Sequence, residues 1–237
     1  GVLSYLLGGF AVSGILHRLA AVTLLTIFSV HVWDLLRNKK QQLGGWKLLL
    51  RGPDTVLLTM RDLWELIATI KWYVGKGDRP QYGRWTYWEK FDYFAVFWGV
   101  AVIGSSGLLL WFPVLFTRLL PGVVINVATI IHSDEALLAA GFIFTIHFFN
   151  THFRPEKFPM DTVVFTGRLP LEELKRERPR EYEELVAANT LDEYLVDPLP
   201  PGTVKAMRIF GWIALTIGLS LTVGIIYAML SYAMLFA

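Results

Sequence analysis

Twenty-five consecutive residues without a charge, YFAVFWGVAVIGSSGLLLWFPVLFT from Tyr93 to Thr117, constrain this chain more than any other feature. A helix rising about 1.5 Å per residue needs about 20 apolar residues to cross a hydrocarbon core of roughly 30 Å. Three further runs meet that requirement. The first extends from about Val2 to Trp33 with Arg18 as its only charge, and the third from Val123 to Phe149, interrupted only by Asp134 and Glu135. The fourth begins near Ala206 and is uncharged from Ile209 to Ala237. Backbone groups in lipid are satisfied only in helices or closed barrels, and unbroken runs of this length mean helices. The chain is therefore expected to be all-α, with four spans at about 11–36, 91–117, 123–150 and 206–237. With 54% hydrophobic and only 18% charged residues, it carries more apolar surface than a soluble domain can bury. The opening GVLSYLLGGF lacks a basic leading region and is not read as a signal peptide.

Between the first two runs, DTVLLTMRDLWELIATIKWYV (54–74) mixes apolar residues with Arg61, Asp62, Glu65 and Lys71. It reads as an amphipathic helix lying at the membrane surface; a soluble helix packed on the loop is the competing reading. Segment 37–90 carries eleven Lys and Arg and segment 151–208 carries nine, whereas the turn between spans two and three has only Arg118. The positive-inside rule puts both basic segments in the cytoplasm and both termini on the outer side. Residues 151–205, with LPLEELKRERPREYEELVAAN, read as a small helical cytoplasmic cap between a transmembrane region (1–150) and the last span. A net charge of +2 gives no nucleic-acid footprint, and the absence of cysteine excludes thiolate-held clusters and c-type haem attachment within the chain.

Ionisable side chains inside a bilayer are costly and mark function. Span one holds His17 and His31, fourteen residues apart, and span three holds His132 and His147, fifteen apart. At about 100° per residue these spacings return to within about 40° and about 60° of the starting direction, so each pair shares a face. His31 lies six residues before Arg37 and His147 seven before Arg154, and spans one and three run parallel. The histidines thus match in depth as His17 with His132 near the outer surface and His31 with His147 near the cytoplasm. Two stacked cross-helix pairs are what two six-coordinate b-type haems need, each iron taking one imidazole from either side. Zinc fits less well, because it needs three or four ligands converging on one point. Gly14 and Gly141, close to these ligands, are candidates for close approach of a porphyrin, and Gly99, Gly104 and Gly107 line span two; helix packing is the plainer use of such residues. Arg18, Arg84 and Arg154 are candidate propionate partners. His152 points away from His147 and reads as a surface histidine, with a quinone or propionate contact as the functional alternative.

Just before span two, GRWTYWEKFDYFAVFWGVAVIGSSGLLLWF (83–112) resembles a segment of cytochrome b subunits of the formate dehydrogenase gamma and thiosulfate reductase type. There a G-K-Y-N-A-G-Q/E-K-like motif enters a helix ending in SG-x-x-LW. The run HSDEALLAAGFIFTIHFFNTHF is similar to that family's ligand helix, and the resemblance covers roughly residues 12–160. It implies a di-haem b cytochrome passing electrons between a quinone or menaquinone and a partner redox subunit, in a bacterial inner membrane. It also implies a quinone site at the pre-helix motif, which carries over onto Thr86, Trp88, Glu89 and Lys90. Thr86 replaces the family's asparagine and Trp88 its last glycine, while Glu89 keeps the position of a proton-exchanging acid. In the formate dehydrogenase relatives one ligand comes from an additional helix, whereas two ligands on each of two helices is the arrangement of quinol:cytochrome c reductases. The stretch FRPEKFPMDTVVFTG looks like b-type subunits encoded with multihaem c cytochromes, so a periplasmic multihaem c cytochrome or a molybdo/iron–sulfur protein is the expected partner. Competing functions are a non-redox membrane anchor or proton-path subunit, and a transmembrane metalloreductase; the latter lacks a Gly-rich dinucleotide motif.

Overall fold

The computed structural model describes residues 4–5, 7–39, 41, 44–52, 55–155 and 157–235. Val2, Asp54, Phe236 and Ala237, at the ends of segments expected from the sequence, lie outside the described residues. The chain is 76% helical, with no strand among the described residues. Four helical segments, 10–38, 87–111, 123–153 and 201–231, are long and apolar enough to cross a membrane, which makes this a multi-pass membrane architecture. Helix α1 is Phe10–Asp34, α2 Met60–Tyr73, α3 Tyr87–Trp111 and α4 Val123–Phe142. The short α5 (Leu171–Glu177) and α6 (Pro179–Ala187) precede the long α7, Pro201–Leu235.

The ends of the spans differ from the uncharged runs, and local chemistry explains why. Helix α3 starts at Tyr87 because Thr86 and Glu89 form a T-x-x-E start signal. The Glu89 carboxylate accepts the Thr86 backbone N–H at 2.9 Å and its hydroxyl at 2.8 Å. It stops at Trp111, two residues before Pro113, since a residue preceding proline is driven out of the helical region. Helix α7 begins at Pro201, a residue suited to a helix start, five positions before the apolar run.

The chain divides into two compact units. The first comprises residues 1–26, 102–167 and 198–237. Within it the α4 span runs on through two wide π turns, Ile143–His147 and Phe149–Phe153. Gly218 of α7 faces Phe148 so closely that an added Cβ would sit 2.5 Å from the ring, and only glycine permits that approach. Lower on α7, Trp212 packs edge-on against Phe158 and Phe210 against Phe165, seating the segment that follows span three.

The second unit comprises residues 27–101 and 168–197. Here α2 is built inside out. Asp62, Glu65 and Thr69 lie on one helical face and are 4%, 8% and 4% exposed, whereas Met60, Leu63, Trp64 and Ile70 are exposed. The buried acids are paired. Lys90, on the first turn of α3, reaches Asp62 at 3.0 Å, and Arg180 of α6 reaches Glu65 at 3.0 Å. Arg178 grips both carboxylate oxygens of Glu89, at 2.5 and 3.0 Å, and donates to the Arg84 carbonyl at 2.6 Å. Asp62 also closes the start of α2 by accepting the Thr59 backbone N–H at 2.6 Å and hydroxyl at 2.7 Å.

Burial pushes Asp62 up, but the hydrogen bonds from Thr59 and Lys90 outweigh it and hold the carboxyl below its usual range. A depressed carboxylate stabilises the fold above its ordinary pKa and loses that contribution as pH falls through the folded value. Asp62→Asn should therefore cost about 3–5 kcal/mol at neutral pH, because Lys90 is left buried without a counter-charge. It should also remove the acid limb of the wild-type stability profile. Thermal unfolding in detergent between pH 3 and 7 checks both outcomes.

Candidate functional site

The first unit brings the imidazoles of His17 on α1 and His132 on α4 together edge-on. Their ring centroids are 6.0 Å apart and their planes are nearly perpendicular, at 86°. With metal–imidazole bonds of about 2 Å, and a ring centroid about 1 Å behind its nitrogen, two rings on opposite sides of one ion sit roughly 6 Å apart. The 6.0 Å between the two centroids matches that separation. Among the described residues no group of three or more His, Cys, Asp or Glu could hold a metal ion, so a converging zinc-type site is not present there.

A ligand ring also needs its tautomer fixed. His132 Nδ1 lies 3.1 Å from the Ile103 carbonyl and 3.1 Å from Ser106 Oγ, both on α3. A carbonyl only accepts, and the Ser106 hydroxyl donates to the Val102 carbonyl at 2.6 Å, so the hydrogen resides on Nδ1. In the neutral ring this puts the lone pair on Nε2. Gly107 makes this contact possible. In an α-helix its own N–H serves the Ile103 carbonyl, and without a Cβ it leaves that oxygen open to the imidazole. An added Cβ would stand 3.1 Å from His132 Cε1. On the neighbouring turn, the Arg18 guanidinium lies over the Trp111 ring, 5.7 Å from its centroid.

The other two intramembrane histidines lie in different units and are described separately. In the second unit, His31 Nε2 is 2.8 Å from the Tyr93 hydroxyl, and the exposed imidazole meets the Tyr93 and Phe97 rings edge-on. In the first unit, His147 ends the π turn that begins at Ile143, closed by the Phe148 N–H bonding the Ile143 carbonyl five residues back. A π turn takes up one residue more than an α turn. The fifteen-residue step from His132 to His147 therefore behaves as a fourteen-residue step, the spacing of His17 and His31.

The remaining sequence candidates are placed as follows. A Cβ at Gly14 or Gly141 would meet nothing within 4 Å, so neither is a point of close packing. Arg84 pairs with Glu181 at 3.4 Å, and Arg154 is half-buried, its N–H closing the second π turn on Phe149. Of the four motif residues, Thr86 is 1% exposed, Glu89 is held by Arg178, Lys90 by Asp62, and Trp88 packs against Tyr82. His152 is not a surface histidine. It is buried against Phe148, and its Nδ1 pairs with the Pro159 carbonyl at 2.7 Å, tying down the chain reversal after span three. The sequence reading missed Ser106 as the anchor of His132 and Tyr93 as the partner of His31. The small residues of IGSSGLLLW were the available signal for the first, and nothing local marked the second.

No family model, curated protein or solved structure matches this chain. Gly107→Val should crowd His132 off the Ile103 carbonyl and lower stability by about 1–3 kcal/mol, as overpacking does. Gly99→Val, where an added Cβ meets nothing, should be nearly neutral in the same unfolding measurement.

Proposed function

We propose that this chain is the di-haem cytochrome b subunit of a bacterial inner-membrane respiratory complex, with His17/His132 holding one haem and His31/His147 the other. It carries electrons across the bilayer between the quinone pool and a redox partner outside, a multihaem c cytochrome or a molybdo/iron–sulfur protein. The observation that carries this reading is the His17–His132 pair, whose ring centroids lie at the separation that two imidazoles on one iron would need, with His132 Nδ1 donating to the Ile103 carbonyl. When bound, haem supplies a one-electron ferric/ferrous couple, a chemistry no side chain of this chain offers.

The chain's own residues do the rest. Ser106 and Ile103 orient His132, Gly107 admits its ring, and Arg18 stands one residue from His17 with a charge suited to a propionate. At the second level Tyr93 holds the His31 ring by a hydrogen bond to Nε2, so ligation there needs that hydroxyl to yield the nitrogen. The π turn at Ile143–His147 brings the two histidines of span three closer to one face, as a shared facing helix requires. Helix α2, with its polar face turned inward and Met60, Leu63 and Trp64 outward, suits a position at the cytoplasmic membrane surface. The basic segments on that side leave both termini on the periplasmic side.

The purified chain should give a reduced-minus-oxidised b-type spectrum and two haems per chain by pyridine haemochromogen assay. His132→Ala and His17→Ala should each lose the same one of the two haems, and His31→Ala and His147→Ala the other. A chain that folds without any b-type signal would falsify the reading and favour a non-redox anchor.

A further inference from the structure

The fourth span carries no histidine, yet it meets span three where that helix departs from α geometry. Among the described residues of α7 only Gly211, Leu215 and Gly218 are buried, and steps of four and three residues put them on one face. Gly218 lies against the Phe148 ring, where an added Cβ would stand 2.5 Å from both Cε2 and Cζ. Gly211 lies against the reversal after span three, where an added Cβ would stand 2.9 Å from Met160 Cβ. His152 ties these two contacts together. Its ring packs on Phe148 with centroids 4.5 Å apart, and its Nδ1 pairs with the Pro159 carbonyl at 2.7 Å. The two π turns, Ile143–His147 and Phe149–Phe153, are thus braced by α7 at Phe148 and again just beyond their end.

Phe148 follows His147 in the chain, and its N–H closes the first π turn on the Ile143 carbonyl. A π turn is rare inside an α-helix and recurs at functional sites, so its persistence here calls for a contact that holds it. Relaxation to an α turn would restore the full fifteen-residue step from His132 to His147. At about 100° per residue, that would swing His147 by about 100° around the helix axis. We propose that Gly218 is a positioning residue for the haem ligand His147: by admitting the Phe148 ring against α7, it keeps the π turn wound and His147 turned to the face that carries His132. The inference rests on the electron-carrier reading above and gives the fourth span a part in it beyond crossing the membrane. A packing role alone would affect both haems alike or neither, whereas a positioning role singles out one.

The test uses the full chain in detergent, read by haem count and by the low-spin EPR signals of the oxidised protein. Gly218→Ala, which adds only the Cβ, should lose the haem that His147→Ala loses or shift its EPR signal. The haem that His132→Ala loses should stay unchanged. Adding Phe148→Leu to that chain removes the two ring atoms the Cβ strikes and should restore the wild-type signal. Phe148→Ala, which empties the contact instead of overfilling it, should alter the same haem and decides the matter if Gly218→Ala does not fold. Gly224→Ala, where an added Cβ meets nothing within 4 Å, should leave both haems as they are. Two unaltered haems in Gly218→Ala and Phe148→Ala, or equal loss of both, overturn the role of Gly218 alone. A folded wild type without any b-type signal overturns the electron-carrier reading itself, so the two failures are distinct.

Discussion

In hydrocarbon every backbone N–H and carbonyl must find its partner inside the helix, and side chains are left with few polar groups to lean on. A histidine placed there can be oriented only by something the neighbouring helix can spare. In this chain the spare group is the second lone pair of the Ile103 carbonyl, reached across Gly107, with the Ser106 hydroxyl beside it. One missing side chain thereby permits both the close approach of two helices and the hydrogen bond that fixes the His132 ring. The same logic applies to Tyr93, whose hydroxyl pairs with His31 Nε2 while its ring and that of Phe97 pack against the imidazole.

The four crossings were legible because hydrophobic length is a coarse quantity that short-range chemistry shifts by only a few residues. Thr86 with Glu89, Pro113 and Pro201 move three of the ends, each by a local rule readable in hindsight. The histidine spacings were legible as periods, but the unequal fourteen and fifteen were not reconciled. A π turn is an adjustment of the whole helix to its surroundings, and no residue type announces it. His152 shows the opposite limit. Its burial comes from Phe148 one turn earlier and the Pro159 carbonyl seven residues later, a pairing that periodicity does not encode.

Helix α2 illustrates what amphipathic patterning can and cannot say. The pattern identifies two faces, yet which one turns inward depends on what is available to meet it. Here Lys90 and Arg180 supply the cations that draw the acidic face in, and the apolar face is turned out. Those partners lie 28 to 115 residues away along the chain, beyond the reach of any local reading. The charged segments that the sequence presented as a loop and a cap are one ionic assembly.

The Arg178 clasp has a consequence for how the molecule is made. Glu89 and the carbonyls of Gly83 and Arg84 receive their guanidinium partner from a residue 89 to 95 positions later. At typical rates of synthesis that partner is translated about 5–20 s after α3 begins, later than every residue of the 123–153 helix. Until then the Glu89 carboxylate at the head of α3 has no guanidinium to balance it. Once Arg178 arrives, the first turn of α3 is clamped by a segment made long after it, so the closing of that helix end waits on residues 168–197.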